Sequence, residues 1–141
     1  MEKGICMTFE NCICFQLGRL SRKITREYRD KISEFNLTHS QFFMLMAVFQ
    51  FQGLLPSQLA EKTDSDRSTV TGLIDRLERD GWVERKPVLG DRRTLSIHLS
   101  SKAKENQEKF MDIFHEINGD FLNRFTKEEW KQLQGLLGKL E

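Results

Sequence analysis

The chain has 141 residues, of which 38% are hydrophobic and 30% charged, a composition typical of a globular protein. Its 22 Lys and Arg almost balance its 21 Asp and Glu, so the formal net charge of +1 gives no general attraction for nucleic acid. No run of about 18 apolar residues could cross a membrane, and the N-terminus lacks the basic and apolar segments of a secretory signal. We therefore expect one cytoplasmic domain that buries its own core and has no membrane partner.

Two helices are predicted in the first third of the chain. Apolar side chains recur at spacings of three and four from about residue 8 to 34, which indicates a long amphipathic helix. Thr38 and Gln41 then fit a capping box, with Leu37 placed to pack against Phe42. The helix that follows, in LTHSQFFMLMAVFQF, is apolar nearly all round, so we expect it at the centre of the fold.

A short helix and a well-marked longer one follow the break at Gly53. Pro56 suits a first helical turn, and Gly81 supplies the C-terminal stop of the longer helix. The candidates for its N-cap are Asp64, Ser65 and Asp66. Its inward face, at helical spacing, consists of Val70, Leu73, Ile74 and Leu77.

A β-hairpin is predicted next. Its strands cover residues 82–86 and 94–99. We expect Gly90 and Asp91 to make the turn, and Leu95 and Ile97 to anchor the returning strand on the core, because they alternate with polar residues. The turn is followed directly by two arginines, which solubility alone does not require.

The helical period returns after residue 100 and predicts two further helices. One apolar stripe begins at Phe110 and ends at Phe125, and Thr126 with Glu129 forms a second capping box before the last helix. The predicted order is helix, helix, short helix, helix, hairpin, helix, helix. The fold class is therefore mainly α with a small β-hairpin, and no repeat or Pro/Gly-rich linker divides it.

The residues with the clearest functional meaning lie on the helix that starts near residue 67 and on the hairpin after it. The outward face of the helix carries short side chains that can lie close to a groove floor: Ser68, Thr69, Thr71 and Gly72. Three arginines flank this face where DNA phosphates would lie: Arg67, Arg76 and Arg79. Arg92 and Arg93, near the tip of a thin hairpin, suit the narrow minor groove, where the negative potential is deepest. This combination indicates a winged helix-turn-helix.

The segment SDRSTVTGLIDRLERDGWVERKPVLGDRRTLSIHLS resembles the DNA-binding core of the MarR family of bacterial transcriptional regulators. The resemblance covers essentially the whole chain, and its most specific parts are STVTGLIDRLERDGWVER and the DRR of the hairpin. It implies one domain over residues 1–141, with a winged helix-turn-helix lobe at 37–99 and dimerisation helices at 8–35 and 100–141. It further implies a homodimer on a pseudo-palindromic operator of double-stranded DNA, commonly a repressor released by a ligand or by oxidation.

The resemblance also implies roles for individual residues. Asp91 and Arg93 match the wing Asp-x-Arg pair of the family, in which the arginine enters the minor groove and the aspartate orients basic side chains, here including Arg76. Arg92 is expected to meet phosphate or solvent, and the alternative role of Asp91 is that of a turn former. The positions that touch bases and phosphates are matched by Ser68, Thr69 and Thr71, with helix capping as the alternative role of the first two.

Apolar stripes at both ends of the chain favour a homodimer independently, because a single core of this size does not obviously need both. Packing of the end helices on their own domain is the alternative. Many members of the family bind a small aromatic or phenolic effector between the dimer helices and the winged domain. The residues expected near such a site are Phe42, Phe43, Met44 and Met46, which core packing also explains.

All three cysteines, Cys6, Cys12 and Cys14, lie in the first fourteen residues, and an odd count does not suggest a disulfide framework. ENCICFQL resembles the first-helix motif of the branch of the family that senses organic hydroperoxides, which makes Cys14 the reactive candidate, with Cys12 beside it. The sequence departs from that branch because Phe42 and Phe43 stand in the second helix and Tyr28 is its one tyrosine. Packing of the cysteines as small apolar residues is the alternative.

Catalytic and metal-binding functions find no support in the sequence. His39, His98 and His115 have no carboxylate or cysteine companions at metal-ligand spacing, so no metal site is expected. No Gly-rich phosphate loop, nucleophile elbow or paired-carboxylate signature appears, so we expect neither an enzyme nor a cofactor. The leading hypothesis is a DNA-binding homodimeric repressor released by a small molecule. The alternatives are an oxidant-sensing repressor acting through Cys14 and, with near-neutral charge as its only support, a winged-helix protein-interaction module without DNA binding.

Overall fold

The computed structural model describes residues 8–141, and Cys6 lies outside this part of the chain. Residues 8–141 contain seven α-helices and one antiparallel hairpin. They are α1 (Ile13–Ile32), α2 (His39–Gln50), α3 (Pro56–Lys62), α4 (Arg67–Arg79), β1 (Val83–Val88), β2 (Asp91–Leu99), α5 (Ser101–Glu105), α6 (Gln107–Leu122) and α7 (Lys127–Leu137). Short 3-10 turns lie at Phe9–Asn11, Ser33–Phe35 and Gly138–Leu140. The fold class predicted from the sequence is confirmed.

The first helix is shorter than the stripe of apolar residues predicts. Cys12 has an extended conformation and separates a 3-10 turn from α1, while a second 3-10 turn ends the helix before Asn36, whose φ is 53°. The predicted capping box at the start of α2 is present: Gln41 N–H donates to Thr38 Oγ1 (3.2 Å) and Thr38 N–H donates to Gln41 Oε1 (2.8 Å). The start of α2 is therefore set by two side chains close in sequence.

The second helix is the centre of the core, as its uniform apolar character predicts. Phe42, Leu45 and Val48 are fully buried, and Phe42 contacts Phe110 of α6 with ring centroids 5.8 Å apart. Phe110 also meets the rings of Phe35, Phe49 and Trp82 at 4.7, 6.1 and 5.3 Å. Truncation of such a buried Phe costs about 3–5 kcal/mol. This ring cluster fixes α6 against the winged helix-turn-helix part of the chain.

Helices α3 and α4 are joined by a short turn. Pro56 occupies the first position of α3, and Asp64 in the turn is left-handed with φ 49°. Asp66 is the N-cap of α4, and Gly81 (φ 80°) follows its C-cap. The predicted inward face of α4 is buried and consists of Val70, Leu73, Ile74 and Leu77.

The hairpin pairs Val83 with Leu99 through to Pro87 with Leu95, after which the register shifts and Val88 pairs with Asp91. Leu89 and Gly90 make the turn, so the predicted Gly90-Asp91 turn is wrong by one residue. The β2 strand is also tied to the loop before α3, because Gly53 N–H donates to Ile97 O (2.9 Å) and Ile97 N–H donates to Leu54 O (2.8 Å).

The predicted core role of Leu95 is also wrong. Ile97 is fully buried, whereas Leu95 is 38% exposed. Leu95 lies two residues further out on the same face of β2, about 7 Å along the strand, and this distance takes it beyond the end of the core. The outer half of the hairpin therefore projects from the domain as a wing.

The chain after the wing contains one more helix than predicted. Ser100 caps the five-residue α5 by accepting from Ala103 N–H (3.2 Å), and its hydroxyl donates to Gly81 O (2.6 Å). Helix α7 begins with the predicted capping box, in which Glu129 N–H donates to Thr126 Oγ1 (3.1 Å) and Thr126 N–H donates to Glu129 Oε2 (2.8 Å). Helix α5 was missed because five residues are too few to show a helical period.

Apolar side chains remain exposed at both ends of the chain. In α1 they are Ile13, Leu17, Leu20 and Ile24, and near the C-terminus they are Phe125, Leu136, Leu137 and Leu140. Over residues 8–141, none of the helices has the length and apolar character needed to cross a membrane.

Candidate nucleic-acid interface

The start of α4 is held by the carboxylate of Asp66. Its Oδ1 accepts from Thr69 N–H (2.8 Å) and from Ser68 Oγ (2.7 Å), and its Oδ2 accepts from Thr69 Oγ1 (2.6 Å). The hydrogen bonds from Thr69 and then Ser68 stabilise the charged form and lower the pKa of Asp66 to about 2. The capping role considered for Ser68 and Thr69 therefore becomes a different arrangement, in which Asp66 is the cap and both hydroxyls donate to it.

These hydrogen bonds orient the hydroxyl groups on the exposed face of α4. Ser68 and Thr69 direct their protons toward Asp66, and Thr71 Oγ1 donates to the Arg67 carbonyl (2.9 Å). The outward lone pairs of these oxygens remain able to accept from the amino group of adenine or cytosine. Gly72 follows Thr71 on α4, and a Cβ added there would have no neighbour within 4 Å.

A shallow groove of about 560 Å³ runs along this face. Its lining combines the start of α2 with α4 and comprises Thr38, Ser40, Ser68, Thr69, Gly72, Leu73 and Arg76. The groove brings together four of the predicted site residues: Ser68, Thr69, Gly72 and Arg76. Thr71 is exposed on the same helix but does not line the groove.

The charges between residues 67 and 93 separate into paired and unpaired groups. Arg79 binds Asp80 (3.1 Å), Lys86 lies 3.7 Å from Glu84, and Arg85 binds both Asp75 (2.6 Å) and Glu78 (2.9 Å). Among residues 8–141, no hydrogen bond or ion pair engages the side chains of Arg67, Arg76, Arg92 and Arg93. The near-zero net charge therefore conceals four arginines whose charges have no carboxylate partner within the described part of the chain.

Asp91 acts within the wing. It accepts from Arg93 N–H (2.9 Å) and from Thr94 Oγ1 (2.5 Å), hydrogen bonds that lower the pKa of its carboxyl group, the Thr94 bond most. The expected contact with Arg76 is absent among residues 8–141, and the two oxygens of Asp91 accept from residues of its own strand instead. The aspartate thus fixes the backbone at Arg93 from the first position of β2, directly after the turn.

A larger cavity of about 770 Å³ lies behind α4, the recognition helix of the predicted helix-turn-helix, and is bordered by α2, α4 and α6. It is lined mainly by aromatic rings and methionines, including Phe43, Met44, Met46, Met111 and Phe114. Phe42, the remaining residue expected near an effector, is fully buried in the core.

The cavity lining contains few charged groups. Among the described residues, Lys62 is the one Lys or Arg in the lining, and no Asp or Glu contributes to it. His39 also lines the cavity, and burial, followed by the charge of Arg29, lowers the pKa of its ring, which favours neutral imidazole. The site is therefore apolar with one cationic group at its edge.

The described cysteines lie far from the aromatic cluster of α2. Cys12 and Cys14 are exposed at the start of α1, and no charged side chain lies in its first turn. Tyr28 packs against Phe43 at 5.1 Å and is buried. It lies fourteen residues beyond Cys14 on the same helix, about 21 Å along the axis, so it cannot activate that thiol within one protomer. This separation disfavours the oxidant-sensing alternative.

Two residues of these sites were not identified from the sequence. Arg85, in VERKPV, belongs to no recognisable motif, although Asp75 and Glu78 at a spacing of three predict one carboxylate surface on α4 that could bind it. Lys62 was missed because its position beside the cavity depends on the packing of α3 against the end of α2.

The second helix of the helix-turn-helix exposes hydroxyl groups and arginines that have no carboxylate partner among residues 8–141, and the hairpin after it carries two more such arginines. This arrangement defines a winged helix-turn-helix protein.

Residues 37–95 match the MarR family. Two relatives support the match over nearly the full chain. The organic hydroperoxide resistance transcriptional regulator of Bacillus subtilis is 30% identical over 93% of this chain and 88% of its own length. The transcriptional regulator PecS of Dickeya dadantii is 33% identical over 89% of this chain and 77% of its own. The chain belongs to the MarR family of transcriptional regulators.

Solved structures share this fold at lower identity. A mutant MarR from Escherichia coli, complexed with operator DNA, matches with a TM-score of 0.79 and 23% identity over 96% of this chain and 98% of that one. An organohalide-sensing regulator in its 2,4-dichlorophenol-bound form has a TM-score of 0.82 and 21% identity, with 99% and 83% coverage. Bordetella bronchiseptica BpsR, whose DNA binding is regulated by 6-hydroxynicotinic acid, has a TM-score of 0.81 and 21% identity, with 96% coverage of both chains.

Family membership confirms two predictions made from the sequence. The protein is a DNA-binding transcriptional regulator of the winged helix type. Because the family consists of transcription regulators, the protein is not an enzyme.

Proposed function

We propose that this protein is a homodimeric repressor that binds a pseudo-palindromic operator and releases it when a small aromatic molecule binds. The observation that carries the DNA-binding part is the set of four arginines without carboxylate partners among residues 8–141, Arg67 and Arg76 on α4 and Arg92 and Arg93 on the wing. Helix α4 enters the major groove, where Ser68, Thr69, Thr71 and Gly72 contact base edges and phosphates. Arg93 enters the minor groove while Arg92 meets phosphate, and Asp91 fixes the backbone between them.

The exposed apolar stripes support the homodimer. Ile13, Leu17, Leu20 and Ile24 follow one face of α1, and Leu136, Leu137 and Leu140 stand at the other end of the chain. Burial of such a stripe by a second copy contributes about 25 cal/mol for each Å² removed from water. We assign residues 37–99 to the DNA-binding lobe and residues 8–35 and 100–141 to dimerisation.

Selection from a pool of random DNA duplexes tests the dimer and its docking together. We expect the recovered sequences to contain two inverted half-sites whose centres lie about 10 base pairs, or one helical turn, apart. A single half-site would contradict the dimer on DNA. Binding that is insensitive to salt would favour the protein-interaction module instead, because phosphate contacts release counterions and make affinity fall steeply with salt.

Substitution Arg93→Ala tests the assigned wing contact on the selected duplex. We expect affinity to fall by about ten- to hundredfold, because a base-contacting arginine contributes on the order of 1–3 kcal/mol. The thermal midpoint should stay unchanged, since the exposed side chain makes no hydrogen bond or ion pair within residues 8–141. Lys131→Ala, which removes the same charge from exposed α7, is the matched control. Equal affinity of wild type and Arg93→Ala in a salt-controlled titration would exclude the wing role.

The cavity behind α4 supports the effector part of the proposal. It is apolar, of a size that suits a small ligand, and lined by residues of both the recognition helix and α6. The single ammonium group of Lys62, with no carboxylate among the described lining residues, favours an aromatic anion. Structural relatives bind 2,4-dichlorophenol and respond to 6-hydroxynicotinic acid, and these compounds are suitable first probes.

A further inference from the structure

We propose that Arg85 is a positioning residue for DNA reading: it braces the wing against the recognition helix and masks two carboxylates beside the DNA-facing surface. The proposal rests on the proposed DNA contacts of α4 and the wing. Arg85 belongs to β1, whereas both of its partners, Asp75 and Glu78, belong to α4. Its guanidinium is therefore a direct polar link between the two elements that are to enter neighbouring grooves.

The geometry of the link is that of a two-pronged clamp. Arg85 Nη2 donates to Asp75 Oδ1 at 2.6 Å, and Arg85 Nη1 donates to Glu78 Oε1 at 2.9 Å. The planar guanidinium has a fixed separation between these nitrogens, so binding two carboxylates one helical turn apart fixes its orientation as well as its position. A lysine ammonium is a point charge and cannot reproduce this constraint.

The differences in exposure support a positioning role over a phosphate contact. The Arg85 side chain is 19% exposed, while those of Asp75 and Glu78 are 60% and 41% exposed. Arg85 lies on the same face of β1 as the buried Val83, directed toward α4. The unpaired arginines on α4 and at the wing tip remain available to phosphate, whereas both donor nitrogens of the Arg85 clamp are already engaged.

Masking of the carboxylates follows from their place on α4. Asp75 lies three residues after Gly72 and one before Arg76, so it borders the surface proposed to read bases. Without Arg85, two negative charges would stand beside the DNA backbone. The clamp therefore has an orienting effect and an electrostatic effect. Arg85→Lys keeps the positive charge and the double carboxylate variant removes the negative charges, so both variants isolate the orienting effect.

The test measures the two grooves separately on the duplex recovered by selection. Hydroxyl-radical footprinting reports protection of minor-groove sugars by the wing, and methylation of guanine N7 reports protection of the major groove by α4. The variants are Arg85→Lys, which keeps the charge and removes the clamp, and the double variant Asp75→Asn with Glu78→Gln, which removes both negative charges and both charged partners. Glu84→Gln, which removes a loose exposed pair with Lys86, is the control.

We expect both clamp variants to lose minor-groove protection and about tenfold in affinity, the effect of misplacing one base-contacting arginine. Major-groove protection at saturating protein and the thermal midpoint should stay near the wild-type values, and Glu84→Gln should behave as wild type. Neither clamp variant is expected to restore minor-groove protection.

Three results would overturn the brace. Wild-type protection in Arg85→Lys would show that the positive charge is sufficient and that the clamp geometry is not needed. Tighter binding by the double carboxylate variant would exclude the brace and leave masking of the carboxylates as the only role of Arg85. A lower thermal midpoint with equal loss of protection in both grooves would indicate a purely structural role. If the wild-type protein itself gives no minor-groove protection, the proposed wing contact is wrong. This result differs from wild-type protection in Arg85→Lys, which would contradict the brace alone.

Discussion

At the residue scale, Asp66 controls both the shape and the hydrogen bonding of the start of the recognition helix. One carboxylate accepts from a backbone N–H and two hydroxyl groups, and these hydrogen bonds orient the hydroxyl protons of Ser68 and Thr69 in the absence of DNA. The sequence limits the cap to three neighbouring residues. It cannot choose between them, because the choice depends on the left-handed Asp64 that turns the chain toward α4.

The lowered pKa of Asp66 predicts a pH dependence of stability. A depressed carboxyl pKa gives stability that is fully present above the unfolded-state value of 3.8 and is lost as pH falls through about 2. We expect the difference in unfolding free energy between wild type and Asp66→Asn, measured by urea denaturation, to be constant at neutral pH and to shrink below pH 3.8. The double variant Ser68→Ala with Thr69→Val, which removes the side-chain donors, should reduce this pH dependence. A difference that is independent of pH would contradict the assignment.

At the scale of elements, α4 and the wing show where local sequence suffices and where it does not. The inward face of α4 and the caps of α2 and α7 are set by residues within one or two turns, so their patterns predict them correctly. The wing turn is misplaced by one residue and Leu95 is misassigned, because both depend on where the core ends relative to the hairpin. Alternation indicates the face of a strand and contains no information on how far the core extends.

At Gly72, the stability of α4 and its proposed function in DNA binding favour different residues. Glycine inside a helix costs about 1 kcal/mol relative to alanine, and an added Cβ meets no atom within 4 Å. We expect Gly72→Ala to raise the thermal midpoint and yet to lower affinity for the selected duplex by roughly tenfold, because the methyl group would displace hydrogen bonds to a base edge. Gly119→Ala, on α6 and equally unobstructed, should stabilise without affecting DNA binding. Unchanged DNA affinity in Gly72→Ala would remove this residue from the interface.

At the scale of the whole molecule, the recognition helix α4 and the apolar cavity behind it share residues. Thr69 and Leu73 line both the groove on the DNA side and the cavity behind it, while Met111 and Phe114 line the cavity from α6. A ligand in the cavity would thus touch α4 directly. The sequence could not show this cavity, because its walls come from segments far apart in the chain, such as those of His39 and Phe114. Nor could it show which charges are paired.

Lys62→Met tests the expected class of effector. We expect 6-hydroxynicotinate to release the selected duplex from the wild-type protein and the variant to need about tenfold more of it, since one ion pair is lost. Release by the neutral amide of the same compound should be equal in both proteins. Lys104→Met, exposed outside the cavity, is the matched control.

Release should also persist when Cys6, Cys12 and Cys14 are all changed to serine, because the ligand acts without the thiols. Loss of ligand-induced release in that variant would return the cysteines to the mechanism. For Lys62→Met, an equal loss of sensitivity to 6-hydroxynicotinate and to its neutral amide would contradict recognition of the anion's charge.

The register shift in the wing gives its two halves different mechanical properties. From Val83 to Pro87 the ladder is continuous, and Ile97 is held in addition by the loop before α3, so the base of the wing is stiff. Beyond Pro87, residues 92–94 have no opposite residue on β1. Hydrogen bonds to Asp91 hold the local shape of these residues, but no strand ladder ties them to β1. If Arg93 enters the minor groove as proposed, a tip that can tilt on a stiff base lets it follow grooves of different width while α4 stays in register with the bases. The operators of this protein should therefore tolerate variation in groove width more readily than variation in half-site spacing.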